Sequence, residues 1–288
     1  MNPRVLGVDV GGTNIKAALF DAATLDLLSS ETIPTQAEKG FTSVLDRLAE
    51  LATTLTNGDH LPVGVCVPGP VLQPEGVLLR APNIPGSEQV ALRSELESRF
   101  GRPVAVDNDA HCFALAEAIH GAGKGHRVVS GITIGTGVGG GLVVDGKLFY
   151  GAHGFASEVG HMLLRPGEPP YETSDRRGDV EQFLSGTAFG ERCKAAQSPD
   201  DYLQGAACAF LYPEIFKEVA WLCTNVTHAY DPSVIVFGGS TGKALRPHLG
   251  SVEAELKKWL LPSVPTPKLA VAERQHPGAL GAALLALS

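Results

Sequence analysis

The stretch Val5-Leu6-Gly7-Val8-Asp9-Val10-Gly11-Gly12-Thr13-Asn14-Ile15-Lys16-Ala17-Ala18-Leu19-Phe20-Asp21 decides the fold. Two apolar runs are parted by small residues around paired glycines, the pattern of two buried strands joined by a glycine turn. The pattern returns in Gly131-Ile132-Thr133-Ile134-Gly135-Thr136-Gly137 and continues through Gly139-Gly140-Gly141-Leu142-Val143-Val144-Asp145. An offset of 124 residues lays Gly7 on Gly131, Asp9 on Thr133, Gly11 on Gly135 and Asp21 on Asp145. Solenoid repeats have periods of ~20 to 50 residues, so this longer one points to two related domains.

Outward from the first hairpin, Phe41, Val44, Leu45, Leu48, Leu51, Ala52 and Leu55 recur at helical spacing. Residues 63–67 read as a buried strand ended by Pro68-Gly69-Pro70. Leu92, Leu96 and Phe100 share a helix face that Gly101 and Pro103 stop, and Val104-Ala105-Val106 is a short strand entering Asp107-Asn108-Asp109-Ala110. Asp109 takes the N-cap position of a helix over about 110–119. Strands are expected near Val128 and Leu142, a helix over 213–229, a strand over 234–237 leading into Gly238-Gly239, and a further helix after Lys243. Strands alternating with helices make an α/β fold. Residues 164–179, polar and without period, read as a loop or lid.

With 288 residues, 44% hydrophobic and 19% charged, the chain is neither disordered nor a coiled coil. A net charge of −8 disfavours nucleic acid and anionic membranes as partners. No run approaches the ~18 apolar residues that span a bilayer, and Asp9 with its glycines precedes any signal-peptide core, so a cytoplasmic location is expected. Cys66, Cys112, Cys193, Cys208 and Cys223 are odd in number and form no C-x-x-C pair, which predicts buried thiols in a reducing compartment.

A strand that ends in a glycine turn exposes backbone N–H groups with no Cβ in the way, which suits phosphate oxygens. It happens three times here, once as Asp-x-Gly-Gly-Thr-x-x-Lys, whereas a single such turn could equally be a tight hairpin. The segment 135–140 matches G-x-G-x-x-G, the fingerprint of a dinucleotide-binding oxidoreductase. That fingerprint must open a helix, and residues 142–149 read instead as two strands joined at Asp145-Gly146. No H-R-D, D-F-G or G-x-x-x-x-G-K-[ST] appears. Asn108 and Asp109 offer an amide beside a carboxylate, suited to holding a hydroxyl-rich substrate and accepting its proton, with helix capping by Asp109 as the competing reading. Glu158-Val159-Gly160-His161 is open in the same way, since a lone histidine is commonly structural.

Taken in order, Asp9-Val10-Gly11-Gly12-Thr13-Asn14-Ile15-Lys16, Asn108-Asp109-Ala110, Gly135-Thr136-Gly137-Val138-Gly139-Gly140-Gly141, Glu158-Val159-Gly160-His161 and Val236-Phe237-Gly238-Gly239 resemble the ROK family of sugar kinases and sugar-responsive repressors over nearly the whole chain. The resemblance implies the actin-like ATPase (ribonuclease H-like) fold, two duplicated α/β domains around a cleft. Residues 1–110 with about 277–288 would form the first domain and 111–276 the second. It implies ATP-dependent phosphorylation of a hexose, glucose foremost, at the 6-hydroxyl, with Asp109 as general base. Asn83, Asn108, Glu158, His161 and Glu181 would hold sugar hydroxyls beside the backbone of Gly69. Gly11, Gly12, Thr13 and Lys16, with Gly135, Thr136 and Gly137, match the phosphate loops, Asp9 the acid near Mg²⁺ and Gly239 the adenosine contact. A homodimer is expected on the same ground.

Many members of that family carry C-x-C-G-x-x-G-C-x-E after the Gly-His step, three thiolates that join the histidine on zinc. Here the stretch is Glu172-Thr173-Ser174-Asp175-Arg176-Arg177-Gly178-Asp179-Val180-Glu181, with Gly178 and Glu181 in register and no cysteine, so a Cys₃His zinc site is not expected. Ionic contacts of Arg176 and Arg177 with Glu172, Asp175 or Asp179 are expected to hold the loop. The repressor branch adds an N-terminal DNA-binding domain, for which the few residues before Asp9 leave no room. Polyphosphate donors in the family would call for more cationic surface than Lys124, His126 and Arg127, so ATP is the expected donor. A non-catalytic sugar sensor, and kinases for fructose, mannose or N-acetyl hexosamines, are the alternatives.

Overall fold

The computed structural model describes residues 3–196 and 199–288, with backbone alone at 199 and 200. Along the chain run β1 (Arg4–Val10), β2 (Asn14–Asp21), β3 (Leu27–Pro34), α1 (Phe41–Thr56), β4 (Val63–Val67), β5 (Val71–Leu72), β6 (Val77–Leu78), α2 (Leu92–Phe100), β7 (Val104–Asn108) and α3 (Asp109–His120). There follow β8 (Val128–Ile134), β9 (Val138–Val144), β10 (Lys147–Leu148), α4 (Val180–Leu184), α5 (Gly186–Arg192), α6 (Pro199–Leu203) and α7 (Tyr212–Tyr230). The chain closes with β11 (Val234–Gly238), α8 (Gly239–Ala244), α9 (Leu249–Leu256), β12 (Lys268–Val271) and α10 (Pro277–Ala286).

Two compact units result. The first runs to Ala116 and takes in Phe149–Ala156 and Arg274–Ser288, and the second comprises Glu117–Leu148 and Ser157–Glu273. Each holds a five-stranded sheet of the same design, in order β3-β2-β1-β4-β7 and β10-β9-β8-β11-β12. In each an antiparallel hairpin is extended by parallel strands, β1 to β4 to β7 and β8 to β11 to β12. The repeated sequence is thus a repeated topology.

The two hairpins differ by one residue of register. Val10 pairs with Ile15, enclosing four residues, whereas Ile134 pairs with Val138, enclosing Gly135, Thr136 and Gly137. A one-residue slip turns side chains to the other face. Asn14 is accordingly half-buried while Val138, its counterpart by sequence offset, is buried.

In the first unit α10 lies against β1 and β4 at a spacing set by glycines. A Cβ on Gly7 would stand 1.8 Å from the Ala279 carbonyl oxygen, and one on Gly64 1.8 Å from that of Ala282. Phe41, Val44, Leu45, Leu48, Leu51 and Ala52 of α1 are buried in the same unit, the face that the helical spacing marks. β3 is exposed almost throughout, and its polar run Ser29-Ser30-Glu31-Thr32 carries no apolar alternation to announce it.

One expectation needs correction. Cys193 and Cys208 are joined in a disulfide, with Cα atoms 6.0 Å apart, so only Cys66, Cys112 and Cys223 are free thiols. The two cysteines stand 15 positions apart, and no C-x-x-C spacing announces their pairing. The helix expected after Lys243 is α9, and it is preceded by α8, which no sequence pattern announced and which begins at Gly239, directly on the glycine turn. Residues 164–179 contain no helix or strand.

Candidate active site

In parallel α/β sheets ligands gather at the carboxyl ends of the strands. In the first unit those ends are the Gly11 turn after β1, Gly69 after β4 and Asn108 closing β7. Gly11 N–H donates to the Asn14 carbonyl at 2.8 Å, and the buried Thr35 hydroxyl donates to the Gly11 carbonyl at 2.6 Å. Thr35, 24 residues away in sequence, went unread because no local pattern marks it. Gly12 abuts Asn83, whose Cβ would lie 3.3 Å from an added Cβ, so these two expected site residues stand side by side.

Asp9 faces Lys16 across the hairpin register, and α10 begins over it, since a Cβ on Gly278 would come 2.7 Å from Asp9 Oδ2. Burial raises the Asp9 carboxyl above its ordinary value, with Lys16 pulling the other way. A desolvated carboxylate fits a hard cation such as Mg²⁺, whose charge would favour the ionised form.

The β7–α3 corner is built on Asn108. Its Oδ1 accepts from the N–H groups of Ala110 at 2.8 Å and His111 at 3.3 Å, and its Nδ2 donates to the Gly69 carbonyl at 3.0 Å. The helix cap is therefore Asn108, where the sequence places Asp109; Asp109 is the first residue of α3 and its Oδ1 accepts from Ala110 N–H at 2.8 Å. Beneath the corner Asp107 is fully buried.

In the second unit the turn Gly135-Thr136-Gly137 is gripped by α4 and α5. Gly186 N–H donates to the Gly135 carbonyl at 2.7 Å, and the Thr187 hydroxyl to the Thr136 carbonyl at 2.9 Å. Glu181 accepts from Val138 N–H at 2.8 Å, just past the turn. Thr187 was not singled out from sequence, although Ser185, whose hydroxyl accepts from Ala188 N–H at 3.0 Å, is a readable cap for the helix that carries it. Gly239 has φ 75°, and an added Cβ would lie 2.3 Å from the Ile134 carbonyl oxygen, so this turn packs directly on the end of β8.

Glu158 and His161 share one short turn, Val159–His161 with Glu158 before it. His161 Nδ1 stands 3.3 Å from Asp179 Oδ2, and Asp179 accepts from Gln182 N–H to cap α4, the helix of Glu181. The structure thus joins Glu158, His161 and Glu181 through adjoining backbone. Arg177 bridges Asp175 at 2.7 Å and Asp179 at 3.2 Å, whereas Arg176 donates to the Gly167 carbonyl. With no thiolate in the stretch and a guanidinium already between its carboxylates, these residues do not fit a Cys₃His zinc.

Residues 5–288 match the ROK family. The chain belongs to the ROK family. It is 32% identical over 301 residues to an N-acetyl-D-glucosamine kinase of Vibrio atlanticus, covering 97% of this chain and 98% of that one. A ROK hexokinase from Thermus thermophilus superimposes with TM-score 0.84 at 31% identity, covering 99% of this chain and 98% of that one. A ROK family glucokinase from Streptomyces griseus, solved with glucose and AMPPNP, superimposes with TM-score 0.79 at 27% identity, covering 98% of both chains. The fold is that of the actin-like ATPases, and the protein is a ROK sugar kinase. No helix among the described residues is long and apolar enough to cross a membrane.

Proposed function

We propose that this ROK sugar kinase transfers the γ-phosphoryl group of ATP to the 6-hydroxyl of an aldohexose, with glucose as the foremost acceptor. The β7–α3 corner carries the reading. Asn108 caps the helix and Asp109 opens it, and a carboxylate set at the end of a strand beside an amide suits a sugar hydroxyl.

Phosphoryl transfer asks little covalent help and much positioning. Asp109 accepts the hydrogen bond of the attacking hydroxyl and takes its proton as the oxygen–phosphorus bond forms. Asn83, Asn108, Glu158, His161 and Glu181 read the remaining hydroxyls, with the Gly69 backbone beside them. The N–H groups around Gly11, Gly12 and Thr13 and around Gly135, Thr136 and Gly137 hold phosphate oxygens, Lys16 adds a charge and Gly239 borders the adenosine. Asp9 is the carboxylate that would hold Mg²⁺ with the nucleotide, where the ion would supply charge neutralisation on the phosphates. ATP rather than polyphosphate as donor, a homodimer and no nucleic-acid partner complete the reading.

The 32% identity to an N-acetyl-D-glucosamine kinase favours an N-acetyl hexosamine as the second acceptor to consider. The reading is tested by incubating the protein with ATP, Mg²⁺ and glucose or N-acetylglucosamine and locating the phosphate by proton–phosphorus NMR. Phosphate on the C6 oxygen of either sugar is expected; phosphate at another position, or no sugar phosphate, would overturn it.

A further inference from the structure

Phe149–Ala156 belongs to the first unit although both its neighbours, Leu148 and Ser157, belong to the second. This eight-residue strap is a closed turn, with Gly154 and Ala156 N–H both donating to the Tyr150 carbonyl at 3.1 Å. Gly154, at φ 93°, lets it press on β5, since a Cβ there would stand 2.7 Å from the Val71 carbonyl oxygen. Both ends of the strap are pinned to the β7–α3 corner. The Tyr150 hydroxyl donates to Asp107 Oδ2 at 2.7 Å, and His111 lies 2.9 Å from Asp107 Oδ1 through Nδ1 and 3.4 Å from the Ala156 carbonyl through Nε2. A carboxylate and a peptide carbonyl both only accept, so His111 donates to Asp107 through Nδ1 and donates to the Ala156 carbonyl as well only in its imidazolium form. The rings of His111 and Tyr150 meet edge to face, with centroids 5.6 Å apart.

The knot is dry. Asp107 is 0% exposed and His111 2%, and the same Asp107 Oδ1 accepts from Asn108 N–H at 2.7 Å. Hydrogen bonds to a buried carboxylate are stronger than their exposed counterparts, and removing one leaves a buried charge short of a partner. On one side the knot touches the peptide that carries Asn108 and the first turn of α3 that begins at Asp109. On the other it holds Ala156, two residues before Glu158.

We propose that Asp107, His111 and Tyr150 are positioning residues of the kinase. They fix the backbone on which Asn108 and Asp109 stand and the point from which the chain leaves for Glu158, so that hexose binding and proton acceptance depend on this knot and nucleotide binding does not. The proposal rests on the assignment of Asp109 as base and of Asn108 and Glu158 as sugar contacts. None of the three residues needs to touch substrate.

The test is a substitution cycle of Tyr150→Phe, Asp107→Asn and the double variant, with kcat and the KM values for hexose and ATP measured separately and Tm recorded. Each single variant is expected to lose about tenfold or more in kcat/KM for the hexose while its ATP KM stays within about twofold. The double variant is expected to be no worse than the weaker single, because Tyr150 acts through Asp107. Wild-type constants in either single, losses that multiply in the double, or a rise in ATP KM matching the hexose loss would each overturn the proposal. If Asp107→Asn does not fold, Tyr150→Phe, which deletes one hydroxyl, decides through the same split. Asp109→Asn run alongside separates the two claims: wild-type turnover there refutes the base, whereas an inactive Asp109→Asn with an unaltered Tyr150→Phe refutes the knot alone.

Discussion

Asn108 and Asp109 show how two neighbouring polar residues divide their work. The amide accepts from the N–H groups of Ala110 and His111 and ties the corner to Gly69, and the carboxylate, which also accepts from Ala110 N–H, is the one proposed as base. Asp109→Asn is therefore expected to lower kcat by about 10²- to 10⁴-fold while hexose affinity, read by calorimetry, changes by less than about tenfold. A second residue-scale prediction concerns Glu218, buried on α7 against Arg192 at 2.7 Å. Burial pushes its carboxyl up to about 7 from 4.5, although Arg192 pulls it down. Between those values the folded protein binds more protons at this site than the unfolded chain, so the contribution of the group to stability is present at low pH and is lost as pH rises through about 7. Glu218→Gln removes that slope: from pH 5 to pH 8 the stability of the variant should gain relative to wild type in urea titrations, and a difference that does not move with pH would contradict the assignment.

At the scale of elements, the close approach of α10 to the first sheet depends on two residues without side chains. Gly64→Ala would drive a methyl group into the backbone of Ala282 and is expected to lower the unfolding free energy by about 1–3 kcal/mol or more, measurable by urea unfolding. The Cys193–Cys208 bridge closes a 15-residue separation between the end of α5 and the segment before α7. Its reduction should cost up to about 3 kcal/mol on the chain-entropy account, read as a fall in urea midpoint with reductant.

The elements legible in sequence were those whose own pattern carries the signal. β4 has its apolar run ended by Pro68-Gly69, α1 its amphipathic stripe, and the turn after β9 its Asp145-Gly146 pair, both at positive φ. Features that rest on partners far along the chain were not legible. β3 is an exposed edge strand specified by pairing with β2, the disulfide joins cysteines 15 positions apart with no motif to pair them, and Thr35 reaches Gly11 only once β2 and β3 are in register. The candidate site divides in the same way. Its glycine turns and the Asn108-Asp109 pair stand out as motifs, whereas Asp107 with Tyr150 and Thr187 with Thr136 are contacts that only tertiary structure creates.

At the scale of the molecule, two sheets of one strand order present glycine turns at the carboxyl ends of their parallel strands, and the chain is a ROK sugar kinase. Fold alone does not choose among hexoses, because a pocket distinguishes them by a few hydrogen bonds to hydroxyl or acetamido groups. The central claim, ATP-dependent phosphorylation of an aldohexose, is tested most directly by measuring ADP release from MgATP across a panel of glucose, mannose, fructose, N-acetylglucosamine and N-acetylmannosamine, with a sugar-free control. The account predicts ADP release that rises steeply above the control with glucose foremost or, on the second reading, with an N-acetyl hexosamine; ADP release that no sugar in the panel increases would contradict it.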